Sequence, residues 1–78
     1  MRDAIVEVLS QVLALPNPIV AKEGFGPKSC QSWDSLRHLQ IALALEDRFG
    51  CTFDPPEIPR LVDVPAIEGV LRDKGVAA

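Results

Sequence analysis

Ser35 and His38 stand three positions apart, so both side chains share a face if their segment is helical. A serine beside a histidine is the beginning of a nucleophile and base pair. Hydrolysis would also need a third group to orient the imidazole, an oxyanion hole and a nucleophile on a strained elbow of the G-x-S-x-G kind, and none of these is legible here. A small Ser35-His38 hydrolase is therefore the weakest chemical reading, and no catalytic residue is assigned. His38 is expected at the edge of the core with one ring nitrogen hydrogen-bonded. Cys30 and Cys51 are far apart, form no CxxC pair and have a single histidine for company, which points away from a zinc site or a disulfide scaffold and toward free thiols.

These residues belong to the stretch from Ser32 to Gly50, where a polar start, an uninterrupted helical pattern and a glycine stop coincide. Asp34 is a favourable N-cap, and Gly50 follows the last apolar position, Phe49, where a left-handed residue closes a helix. At about 100° per residue, Ile41, Ala42, Leu45 and Phe49 fall on one side. Leu36, Leu39 and Leu43 form a second stripe, which either widens the buried face or stays at the surface for a partner.

The flanking segments supply the rest of an all-α bundle. Ile5, Leu9 and Val12, with Val6 and Leu13 beside them, predict an amphipathic helix from Asp3 to Leu15, ended by Pro16-Asn17-Pro18. From Pro16 to Trp33 runs a long connection without a periodic pattern, pinned by Ile19, Val20 and Phe25. Trp33 packs its end against the bundle, contact with a partner being the alternative. Asp54-Pro55-Pro56-Glu57 has the form of a capping box opening a very short helix, which Pro59 stops. Asp63 then caps a last helix with Pro65 in its first turn, Val64, Ile67, Val70 and Leu71 on its apolar face and Gly75 at its end. Gly69 inside that helix costs about 1 kcal/mol relative to alanine, which a close helix-helix approach would explain. The expectation is one domain over residues 1–78, with three main helices and one short one.

Composition narrows the function. The chain has 78 residues and a net charge of −3, and its 8 basic residues form no run, which argues against a nucleic-acid partner. The uncharged run from Val8 to Ala21 is too short and too interrupted by proline to cross a bilayer. A cytoplasmic monomer, neither exported nor anchored, is expected.

Asp34-Ser35-Leu36, followed by Leu39, Ile41, Ala44-Leu45-Glu46 and Phe49-Gly50, with a long loop before and a short and a final helix after, resembles the acyl carrier protein family. The resemblance implies an acyl-carrier-like bundle in which Ser35 bears 4′-phosphopantetheine, added by a phosphopantetheinyl transferase whose magnesium ion Asp34 helps to hold. It also implies that Leu36 docks against enzyme partners. The helix mouth suits such a group, since a phosphodiester there lies at the positive end of the helix dipole, worth roughly 0.3–1 kcal/mol when exposed. On this reading Ser35 is a handle, and acyl or aminoacyl groups ride as thioesters on the arm.

The fatty acid synthesis members of that family usually carry acidic residues directly after the motif leucine and again three positions later. Here those places hold Arg37 and Gln40, while Glu46 and Asp47 remain near the far end of the helix. The thinned acidic strip favours a dedicated carrier of a specialised pathway, served by its own acyl or aminoacyl ligase or transferase. The partner-facing set is then Asp34, Leu36, Arg37, Leu39, Leu43, Glu46 and Asp47. An adaptor that is never modified and binds partners through Leu36, Leu39 and Leu43 is the alternative.

Overall fold

The computed structural model describes residues 2–76. Its helices are α1 (Arg2–Leu13), α2 (Asn17–Val20), α3 (Ser35–Phe49) and α4 (Val64–Asp73), with a 3₁₀ turn at Ile58–Arg60 between the last two. The three long helices are those the apolar periodicities require, and no strand occurs among the described residues.

Signals within each segment set the helix ends. Asp34 accepts the Arg37 N–H at 2.8 Å to open α3, and Asp63 accepts the Ala66 N–H at 2.7 Å to open α4. At the other ends Ala14, Gly50 and Gly75 turn left-handed, with φ of 55°, 64° and 82°. The following N–H groups of Leu15, Cys51 and Val76 then return to the carbonyls of Ser10, Glu46 and Leu71. Because Ala14 takes this role, α1 ends at Leu13 and not at the expected Leu15.

Ile5 and Leu9 of α1, Ile41 and Leu45 of α3, and Ile67 and Leu71 of α4 are fully buried and form the centre of the core, with Leu61 and Val20 beside them. Phe49 packs against that core only partly buried. On its flank, Glu68 of α4 is 8% exposed and receives Arg2 of α1 through Nε at 3.0 Å and Nη2 at 2.6 Å. Both bonds end on Oε1, and Arg72 Nη2 lies 3.5 Å from Oε2, so the one charged side chain in the buried set among the described residues has a cation at each oxygen.

The connections differ from expectation in three places. The stretch after Pro16 was expected to lack regular structure, yet it folds into the four-residue α2, with Pro18 in its first turn, where a missing N–H leaves no bond unmade. Glu57 does accept the Asp54 N–H at 2.8 Å, but the residues they enclose form a turn, and the helical piece comes after it. Pro59 sits in the first turn of that 3₁₀ piece, so it helps start the element it was expected to stop. A Cβ on Gly69 would meet nothing within 4 Å, which removes close helix packing as the reason for that glycine.

The loop between α2 and α3 is held at defined points. Phe25 and Trp33 are buried, with ring centroids 6.0 Å apart. A Cβ on Gly26 would lie 2.8 Å from the Val62 carbonyl oxygen, so only glycine lets the loop lie so close to the lead-in of α4.

Candidate functional site

Ser35 is the first residue of α3 and is exposed. Its position follows from Asp34, whose extended backbone (φ −95°, ψ −174°) and capping carboxylate start the helix immediately before it. The Arg37 N–H is taken by the Asp34 side chain, and the His38 N–H by the Asp34 carbonyl. Among the described residues, the N–H groups of Ser35 and Leu36 have no protein partner, and they lie where a helix offers bonds to an anion. A phosphate ester on Ser35 therefore fits the residues present.

Beside Ser35 lies an open groove of about 450 Å³, with Trp33, His38, Ile58 and Pro59 in its walls. His38 joins two of these walls. The Trp33 Nε1–H donates to its Nδ1 at 2.9 Å, and its Nε2 lies 2.7 Å from the Ile58 carbonyl oxygen. An indole N–H only donates and a carbonyl only accepts, so His38 is the neutral Nε2–H tautomer with both nitrogens engaged. One bonded nitrogen was expected at the core edge; the second partner comes from the 3₁₀ turn.

That turn is itself anchored. Lys74, just past α4, contacts Glu57 at 2.7 Å and lies over the Phe53 ring, 5.6 Å from its centroid. The hydrogen bond from Lys74 holds the Glu57 carboxyl below the usual glutamate range, helped by the Asp54 N–H. The same bond pushes the Lys74 ammonium above the usual lysine range. Cys51, half-buried nearby, has its thiol pushed up by burial, and Cys30 is buried; both are free thiols.

The residues expected to face partners fall into two groups. Leu36, Leu39 and Leu43 are 63%, 48% and 56% exposed, so the second stripe of α3 lies at the surface and does not widen the core. Asp47 is also exposed. Arg37 and Glu46 have internal tasks: Arg37 Nη1 donates to the Val12 carbonyl at the end of α1 at 2.9 Å, and Glu46 Oε2 accepts the Phe53 N–H at 2.7 Å. Their charges remain on α3, but their side chains are directed by neighbouring segments. Sequence reasoning missed Ile58, whose carbonyl completes the histidine's bonding; a backbone acceptor leaves no mark in side-chain patterns.

No protein-family model, curated protein or solved structure matches this chain.

Proposed function

We propose that this protein is a carrier that holds acyl or aminoacyl groups as thioesters on a 4′-phosphopantetheine arm attached to Ser35. The observation that carries the reading is an exposed serine as the first residue of α3, with unpaired N–H groups beside it and an aspartate cap before it. When attached, the arm supplies a terminal thiol that can form thioesters. The chain's own residues do the remaining work: Asp34 fixes the helix mouth, Ser35 presents its Oγ to a phosphopantetheinyl transferase, and Leu36, Leu39 and Leu43 offer an apolar stripe to partner enzymes. With His38 committed at both nitrogens, no base is left for Ser35, which favours a handle over a nucleophile.

In this reading the carrier is a cytoplasmic monomer that serves its own acyl or aminoacyl ligase or transferase. No helix among the described residues is long and apolar enough to cross a membrane.

The exposed leucine stripe also favours a second reading, an unmodified adaptor that binds through it. Mass spectrometry separates the two. Apo protein incubated with coenzyme A, magnesium and a broad-range phosphopantetheinyl transferase should gain one arm on Ser35, and the folded Ser35→Ala variant should gain none. No gain with several such transferases favours the adaptor. An activated-ester assay of wild type against Ser35→Ala, without cofactor, addresses the hydrolase; a difference in turnover would overturn the carrier reading.

A further inference from the structure

His38 holds together two segments that approach the mouth of α3 from opposite directions in the chain. Trp33 is the end of the long loop, and Ile58 opens the 3₁₀ turn. The bond from Trp33 depends on the neutral ring, because Nδ1 must present a lone pair to the indole N–H, whereas Nε2 gives its proton to the carbonyl in either state. Histidine is also the side chain whose charge ordinarily changes in the mildly acidic range. A proton arriving on Nδ1 would set N–H against N–H, and no rotation of the ring resolves the conflict, since both nitrogens would then be donors facing one donor and one acceptor.

We propose that His38 is an acid-released latch on the groove beside Ser35. Neutral, it fastens the loop end and the 3₁₀ turn to α3. Protonated, it keeps the Ile58 carbonyl and lets go of the Trp33 indole, so the wall of the groove formed by the loop comes loose while the wall formed by the 3₁₀ turn stays.

The charged surroundings leave this choice to the histidine. Asp34, on the same helix, is the other ionisable residue lining the groove, and its Oδ1 caps the Arg37 N–H. Arg37 itself donates to the Val12 carbonyl. On the segment of the 3₁₀ turn, Glu57 is paired with Lys74 and Arg60 with Asp73. From the loop, the nearest charge in sequence is Lys28, next to Pro27 in the groove wall. Release of the indole opens the wall directly, because Trp33 packs on Phe25 and is the last buried residue before the helix.

The latch stands independently of what Ser35 carries, and its test uses apo protein. The chain has one tryptophan and one histidine, so one indole N–H signal and one imidazole signal are followed by NMR from neutral to mildly acidic pH. The expected result is a single-step shift of the indole signal with the same midpoint as the imidazole shift, reversible on return to neutral pH and with far-UV circular dichroism unchanged. In His38→Gln, which cannot titrate, the indole step should be lost. An imidazole that titrates while the indole signal stays fixed overturns the proposal, as does an indole step of equal size in His38→Gln. The wild-type comparison alone decides the matter if that variant does not fold. Failure of Ser35 loading would leave these signals untouched, so the two readings fail separately.

Discussion

Arg37 Nη1 donates to the Val12 carbonyl at 2.9 Å, so a residue in the first turn of α3 closes the C-terminal end of α1. A cation there meets the negative end of a helix dipole and a carbonyl that the helix cannot bond itself. The residue that breaks the acidic strip is therefore also a structural cap.

Two effects should separate on substitution. Arg37→Gln is expected to lower stability by about 0.5–1 kcal/mol, the scale of an exposed charge at a helix end, read from denaturant midpoints. Arg37→Glu should show a similar loss, together with stronger loading or elongation by enzymes that serve standard fatty acid carriers, a gain that shrinks with added salt. An unchanged or weaker interaction at low salt would show that this charge does not set partner choice.

Leu45 and Leu36 lie on different faces of one helix, the first fully buried and the second 63% exposed. Leu45→Ala should cost about 2–5 kcal/mol as a core cavity. Leu36→Ala should stay within about 0.5 kcal/mol of wild type while slowing transferase loading. Equal falls in melting temperature would place the leucine stripe in the folding core and remove it as a partner surface.

Gly69→Ala should stabilise the protein by about 1 kcal/mol, because the position is helical and the added methyl meets no atom within 4 Å. Ala14→Gly should gain a similar amount, about 1 kcal/mol, since an L side chain at φ 55° is strained and glycine is not. Thermal melts of the two variants and of the double variant check both gains and their additivity.

The acid limb of stability should report the Glu57 and Lys74 pair. The folded state holds the Glu57 carboxyl below its ordinary value, so its contribution is present above the unfolded value and lost as pH falls through the folded one. Lys74 is raised, so its contribution is present below the unfolded lysine value and lost as pH rises through the folded one. Glu57→Gln keeps an acceptor for the Asp54 N–H and removes the charge. Its stability should fall less than that of wild type on acidification, measured as urea midpoints across pH; parallel curves would refute the assignment.

What could be read from the residues and what could not divides by range. Asp34, Gly50, Asp63 and Gly75 mark helix ends through bonds to residues a few positions away, so α3 and α4 were legible from the chain, and with α3 the placement of Ser35. The bond of Arg37 to Val12 and that of His38 to Ile58 join segments distant in sequence and end on backbone oxygens, which no pattern of side chains announces. Glu46 accepts a backbone N–H only 7 positions on, a partner that side-chain patterns equally leave unmarked. The proline pair around Asn17 is ambiguous for a different cause: proline stops a helix behind it and is tolerated in the first turn of one ahead, so Pro16 follows the end of α1 while Pro18 lies in the first turn of α2.

The close approach of Gly26 to the Val62 carbonyl gives the opening beside Ser35 its particular character. The loop is stitched to the lead-in of α4 at Gly26 and to α3 at Trp33, and Pro27, between the two stitches, forms part of the groove wall. The loop side of the opening is thus drawn by the Pro27 and Trp33 rings, while Lys28, Gln31 and Ser32 stand exposed along the same stretch and outside the groove lining. Exchanging those three would change the charge of the surface around the groove and leave its lining as it is, so that contour and surrounding charge can be inherited separately.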